Sequence, residues 1–519
     1  MVLHKQTFTR GTFILTVSSF FTRVLGFVNG ILLARFLGAE GVGLLMIAHP
    51  LLPLFITLTE LGLPVAISKL VSEAEAQKNT ARVRRILVVS LTVTGTLSIV
   101  LTLFALFASK WIASVFLADQ RAYYAMVAIT PIIPIIAMSA VLKGYFRGKQ
   151  NMNPLALSDI IENVVQIVVI IGVVNWLLPY GIAYAAAGAM AAVVIGEGFG
   201  LFYLFAMFKW SGRGRQQNVI ADAAQPLSKQ GDRTLFDLLR IGLPMTGSGF
   251  IHSIYRAFLP MLITKSLVLY GVSTEMATKQ FGLLAGYVIP LLLLPGFFTQ
   301  SLSTALIPAI SEASVDSNLR LIHSRMDVAM RMALIVGLPC TIILFLWAEP
   351  LVTVIYHAPE AGILLKLIAP MFLLYYFEAP LQAILLGLGK ASTVMWNHVL
   401  TNIFEVIAIF ALGSRFGIEG VAWGFGFGIC MLTLLNFLSV SSSIGFYFDF
   451  RIVLKAGAGV IVMTICGMAT YSILTRYGLG QTIEVLGAVL VSLLTYVAML
   501  HVTHVLSIRP KPPALTPIP

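Results

Sequence analysis

The chain is poor in charge. Of its 519 residues, 11% are Asp, Glu, Lys or Arg, against roughly 25% in soluble domains. It has 3 cysteines, Cys340, Cys430 and Cys466, all within apolar runs and without metal-ligand spacing. An odd number so placed argues against a disulfide framework and a zinc site, and reads as small buried apolar side chains. No Gly-x-x-x-x-Gly-Lys-Ser/Thr loop occurs, so ATP is not expected as the direct energy source. No polar segment is large enough for a nucleotide-sugar-binding domain. These absences point away from an enzyme: no catalytic residue, metal or cofactor is expected.

What the chain has in excess is apolar length. Hydrophobic residues make up 58% of it. Runs such as 86–108, 164–178 and 183–208 approach or exceed the roughly 20 residues that cross a hydrocarbon core as a helix. A barrel would show alternating segments of about 10 residues instead. The expected fold is an all-α polytopic membrane protein with about fourteen transmembrane helices. The spans fall at 11–36, 42–71, 86–108, 123–146, 154–178, 182–208, 237–264, 281–311, 326–347, 363–387, 393–412, 418–443, 452–475 and 481–506. Basic residues precede 11, but no small-residue cleavage site follows, so the first run reads as a retained helix.

The formal charge of +12 invites a nucleic-acid reading, but its placement argues for topology. Arg82, Arg84, Arg85, Arg147, Lys149, Arg213, Arg215 and Arg451 fall between alternate spans, on the side that carries most of the Lys and Arg. The other side is sparse, with residues such as Lys110, Arg121 and Lys265. This bias puts both termini in the cytoplasm. The expected partners are membrane lipids, with no nucleic acid; the oligomeric state is left open, a monomer being plausible.

An internal repeat divides the chain. Pro131 and Pro370 are separated in sequence by the same distance as Asn163 and Asn402, and Tyr180-Gly181-Ile182 parallels Phe416-Gly417-Ile418. Two pseudo-symmetric six-helix lobes follow, 1–208 and 237–443, joined by a cytoplasmic linker at 209–236. Two further helices lie in 444–508, and a Pro-rich tail occupies 509–519. Each lobe holds an even number of spans, so the copies share one orientation, about an axis along the membrane normal. Asn163 and Asn402 are read as interhelical hydrogen-bonding groups. Prolines cluster in the second span (Pro50, Pro53, Pro64), the fourth (Pro131, Pro134) and the eighth (Pro290, Pro295, Pro308). Some of these bends are expected to be hinges, since the second and eighth spans are repeat equivalents.

Few ionisable groups fall inside the spans, and each is costly there unless it faces water or a counter-ion. Arg23 lies near the middle of the first span and Arg256 in the equivalent seventh. A facing pair would suit a phosphate or diphosphate, because the guanidinium offers forked donors. The alternative is that Arg23 neutralises Glu60. Lys69, Lys143 and Arg240, nearer the inner interface, are expected to snorkel. Glu60, Glu162, Glu197, Glu378 and Glu405 sit near span centres, where carboxylates can carry Na⁺ or H⁺. Asn402 and Glu405, one turn apart near His398, are a candidate cation-coupling pair, with Glu60 a third candidate.

The first 76 residues carry a resemblance. Thr22-Arg23-Val24-Leu25-Gly26-Phe27, then 34–43 (Ala34-Arg35-Phe36-Leu37-Gly38-Ala39-Glu40-Gly41-Val42-Gly43), then Gly62-Leu63-Pro64-Val65-Ala66-Ile67-Ser68-Lys69 resemble the stage V sporulation protein B family. That family belongs to the polysaccharide-exporter branch of the multidrug/oligosaccharidyl-lipid/polysaccharide exporter superfamily. The resemblance implies a two-lobed alternating-access transporter with a role in spore-cortex peptidoglycan. In the related lipid II flippases the arginine matching Arg23 lines a cationic cavity. Their next cavity arginine falls on Asn29 here, and that of their eighth helix falls near Pro290.

The expected function is therefore a flippase for a lipid-linked anionic glycan. The alternatives are an ion-coupled multidrug exporter, favoured by the surplus of buried acids, and a membrane-embedded glycosyltransferase or polymerase, disfavoured by the short outer loops.

Overall fold

The computed structural model describes residues 8–212, 228–315, 318–445 and 450–503. The expectations for most of the linker (213–227), for 446–449 and for the tail lie outside them. Among the described residues all regular structure is helical. Backbone groups in hydrocarbon have no water to bond, and a helix satisfies them internally.

The described residues up to Lys265, with Ser273–Gly282, form one compact unit; Ser266–Val272 and those from Leu283 on form a second. The seventh span, 237–264, thus falls wholly in the first unit, whereas the repeat places the boundary at the polar segment 209–236. Unit 1 holds α1 (Phe8–Ala48), α2 (Leu51–Glu60), α3 (Leu63–Ala76), α4 (Thr80–Phe107), α5 (Ser109–Phe116), α6 (Tyr123–Ile129), α7 (Ile132–Gly148), α8 (Asn153–Leu177), α9 (Ile182–Gly212), most of α10 (Ser228–Tyr270), and α11 (Thr274–Gly282). Unit 2 holds α12 (Ile289–Leu293), α13 (Gly296–Val315), α14 (Leu319–Leu346), α15 (Ala348–Tyr356), α16 (Ala361–Gly387), α17 (Ala391–Ile444), α18 (Phe450–Tyr477) and α19 (Gln481–Val502).

Among the described residues, 10 helical stretches are long and apolar enough to cross a membrane, or 11 if the bent pair Gln120–Ile129 and Ile132–Gly148 is one span. Two are of double length, Val17–Ala76 with 60 residues and Ala391–Ile444 with 54. Each is interrupted by a glycine at positive φ, Gly38 at 65° and Gly417 at 64°. L-residues avoid this region, so a glycine there turns the chain between two spans. Divided at these glycines, and with α10 included, the stretches account for the fourteen expected spans.

The second and eighth spans are both broken into three pieces. In the second, the end of α1, α2 and α3 are separated at His49-Pro50 and at Leu61-Gly62, both of the latter at positive φ. In the eighth, α11 runs into a π-helical turn, Leu283–Val288, then α12, then a break at Leu294-Pro295 before α13. Pro50, Pro64, Pro290 and Pro295 sit at these breaks, and Pro131 at the 40° bend of the fourth span. The expected interruptions are there, because proline frees the carbonyl one turn back.

In unit 1 the core joins Leu63, Ile67 and Val71 of α3 to Ile86 of α4 and Leu142 and Phe146 of α7. α3 and α7 touch at backbone level: a Cβ on Gly148 would lie 2.7 Å from the Ser68 carbonyl and 2.8 Å from Val71 Cβ. Unit 2 has its own core, with Ile310 of α13, Met326 of α14 and Ile384 of α16. There a Cβ on Gly387 would lie 2.7 Å from Ile310 Cβ and 2.9 Å from the Ile307 carbonyl. Gly148, Ser68 and Val71 map onto Gly387, Ile307 and Ile310 at the separation that relates Pro131 to Pro370. The repeat is therefore a repeat of contacts as well as of residues.

Close approach of this kind drives helix association where solvent offers no hydrophobic force. Gly148→Ala and Gly387→Ala should each cost about 1–3 kcal/mol through overpacking and lower the apparent unfolding temperature in detergent. Gly95→Ala on α4, where a Cβ meets nothing within 4 Å, should be neutral or raise it. Equal behaviour of all three would contradict the packing.

Candidate substrate and coupling sites

Arg23 lies on the exposed side of α1. Gly26 and Gly30 follow at one and two turns, and a Cβ on either would meet nothing within 4 Å. Glycine inside a helix costs roughly 1 kcal/mol relative to alanine, and here it leaves the surface beside the guanidinium bare. The other side of α1 is packed. Ser18 donates to the Ala156 carbonyl of α8 at 3.1 Å, and Asn29, Ala34 and Leu37 are buried. Asn29, where the resemblance leads one to expect a cavity arginine, is buried, and burial suits an amide better than a charge.

Arg256 is likewise exposed, on α10, within electrostatic reach of His49. Both arginines belong to unit 1. α10 is held there by small residues: Gly242 abuts the carbonyl of Leu61, and Ser253 Oγ lies 3.0 Å from Thr57 Oγ1.

A second group of charges lies in the same unit. Lys143 Nζ of α7 sits 2.8 Å from Asp159 Oδ1 and 3.9 Å from Glu162 Oε2, both on α8. Lys143 is thus an ion-paired residue and not the snorkelling one expected. Glu197 of α9 is a further acid beside Glu162, within electrostatic reach of Lys143. Of the charges acting on Glu60, Lys143 is the strongest, followed by Glu197. Four acids therefore surround one lysine. Gly196 and Gly200 of α9 let α8 approach: a Cβ on Gly196 would be 2.8 Å from the Glu162 carbonyl.

Asn163 departs from expectation. Its amide donates to the Asp159 carbonyl of its own helix at 2.8 Å, a local bond and not an interhelical one.

In unit 2, Glu405 and Asn402 lie on the first half of α17. Glu405 rests against Gly428 of the second half, where a Cβ would come 2.5 Å from its Cδ. His398 is tied to Gln382 of α16 (3.0 Å), which donates to Glu378 at 2.7 Å. Glu378 and Glu405 repel each other. The expected Asn402/Glu405 pair thus has a second carboxylate as neighbour. Sequence reasoning missed the pair Asp327–Arg331 on α14, 2.5 Å apart with side chains 14% and 15% exposed. Its spacing of four residues was the available signal.

Lys143→Met should leave Asp159 and Glu162 without their cation. Breaking a fully buried pair costs about 3–5 kcal/mol; this pair is partly exposed, so a smaller loss is expected. Monodisperse protein recovered in detergent should fall several-fold, and Lys143→Met with Asp159→Asn should restore most of it. A single variant recovered at the parental level would contradict the pairing.

The chain matches the family model described as polysaccharide biosynthesis protein over residues 8–314, and the MatE model over 284–411. It is 42% identical over 502 residues to the stage V sporulation protein B of Bacillus subtilis (strain 168), covering 96% of each chain. It is 22% identical to the lipid II flippase MurJ of the same organism, over 89% of this chain and 87% of that one. Its fold is similar to that of a lipid II flippase MurJ solved in an inward closed conformation, with TM-score 0.71, 15% identity and coverage of 96% and 100%. An inward-facing multidrug resistance MATE family transporter gives TM-score 0.63 at 17% identity, covering 82% and 94%. Sequence and fold agree: this multi-pass membrane protein belongs to the stage V sporulation protein B family, within the multidrug/oligosaccharidyl-lipid/polysaccharide exporter superfamily.

Proposed function

We propose that the protein flips a lipid-linked anionic glycan, a peptidoglycan precursor for the spore cortex, across the bacterial plasma membrane by alternating access. The observation that carries this reading is Arg23 on an open helix face beside two glycines whose Cβ positions are empty. A diphosphate needs a cation with forked donors and room for its oxygens, and this face offers both. Arg256 supplies a second exposed cation in the same unit. The relatives named as stage V sporulation protein B and lipid II flippase support the class of cargo. No step in this reading breaks a bond, and no residue is assigned a catalytic role. Both termini are placed in the cytoplasm by the distribution of Lys and Arg.

The acids supply what a cationic surface cannot, a response to Na⁺ or H⁺. In this reading Glu60 with the Lys143 group, and Glu405 with Asn402, bind the coupling ion while the arginines bind the cargo. An ion-coupled exporter of small cations is the second reading, favoured by the excess of four acids over one lysine.

The test is flipping of a fluorescent polyprenyl-diphosphate disaccharide in proteoliposomes. Loss of a charge-assisted hydrogen bond is worth about 1.5–3 kcal/mol, so Arg23→Ala should slow flipping roughly tenfold or more with normal insertion. Arg23→Lys should restore part of the rate, since it keeps the charge but not the fork. Parental flipping by Arg23→Ala, or export of organic cations with no flipping by the parent, would favour the second reading.

A further inference from the structure

α11 belongs to unit 1, although the chain on both sides of it, Ser266–Val272 and from Leu283 on, belongs to unit 2. It is a short helix with a joint at each end. Gly271, just before it, has φ of 111°. The π-helical turn Leu283–Val288 and Pro290 follow it.

Its contact with α1 has two parts. The first is bare backbone: a Cβ on Gly43 would overlap the Thr278 carbonyl, and one on Gly282 would overlap the Ala39 carbonyl and lie 2.7 Å from Gly43 N. The second is a buried polar lock. Thr278, fully buried, donates its hydroxyl to Asp119 Oδ2 at 2.9 Å. Asp119, 4% exposed, also accepts from Arg121 Nη2 at 2.8 Å and from the Arg121 backbone amide at 2.9 Å. Arg121 in turn pairs with Glu40 of α1 and lies 3.9 Å from Glu275 of α11. Burial pushes the Asp119 carboxyl up, but the hydrogen bonds from Arg121 and Thr278 outweigh it and hold the group below its ordinary value. It stays ionised.

We propose that α11 is a releasable clasp, and that Asp119 and Arg121 are positioning residues which hold it on unit 1 and set how often it lets go. The assignment rests on the transport reading only for its purpose, since a clasp jointed at both ends matters to a protein that must change shape. α11 buries Ala277 and Phe281, but its closest approach to α1 is backbone against backbone at Gly43 and Gly282, and the Thr278–Asp119 bond fixes it there.

The test uses the full chain in lipid nanodiscs, with Cys340, Cys430 and Cys466 replaced by Ala. Ala277 of α11 and Ala383 of α16 are both buried, and each is changed in turn to Cys. The rate of labelling by a hydrophilic maleimide is then measured. Asp119→Asn and the nearly isosteric Thr278→Val should speed labelling at 277 at least several-fold and leave labelling at 383 at the parental rate. Unchanged labelling at 277 in both variants would overturn the proposal. So would equal acceleration at both positions, which would mean that the lock only supports global stability. The readout needs no cargo, so it can fail while the flippase reading stands, or succeed while that reading falls.

Discussion

Every carbonyl and amide that leaves a helix in hydrocarbon must find a partner inside the protein, and this constraint explains most of what is distinctive here. The second and eighth spans each break twice, and beside two of these breaks another helix of unit 1 approaches to backbone distance. Leu61-Gly62 is covered by Gly242 of α10. The α11 end of the eighth span is covered by Ala39 and Gly43 of α1. Glycine recurs at these places because a Cβ would hold the two backbones apart. The second span and α11 are thus bound within unit 1 by small-residue surfaces, and each has a break at its end.

The buried charges follow the same economy. Lys143 is held by Asp159 and Glu162 across α7 and α8, with Glu197 of α9 a further acid within its electrostatic reach. Arg121 performs the same service at the Asp119 end of unit 1, with Glu40 and Glu275 as further acids. In both places one cation serves several carboxylates. Arg23 and Arg256 differ in being exposed on their helices, and Arg23 has two bare glycines beside it. Charge is spent inside the protein on acids, and shown outside as arginine.

Much of this was legible in the sequence because it depends on residues near one another along the chain. The spans, the breaks between them at 37–41 and 413–417, where Gly38 and Gly417 turn the chain, and the proline breaks are all local. The repeat was legible from Pro131/Pro370, and the structure extends it to the contact of Gly148 with Ser68 and Val71, matched by Gly387 with Ile307 and Ile310. What the sequence could not show depends on which helices are neighbours. Lys143 was read as snorkelling because Asp159 lies on the next helix. Asn163 was read as interhelical, yet its partner is four residues back. The Asp119–Thr278 bond joins residues 159 positions apart, and no local pattern announces it. Asn29 is the opposite case: the departure from the flippase pattern was visible, but only burial explains it.

The central claim is that the Arg23 face of α1 looks onto water through which an anionic headgroup passes. Gly26→Cys and Gly30→Cys, each introduced singly with the three native cysteines replaced, place a thiol on that face where a Cβ meets nothing within 4 Å. The measurement is their labelling in proteoliposomes by a charged, membrane-impermeant thiol reagent, with and without a polyprenyl-diphosphate glycan. The account predicts ready labelling at both positions and protection by the glycan. Labelling by lipophilic reagents alone, unaffected by the glycan, would show that the face is turned to lipid and would contradict it.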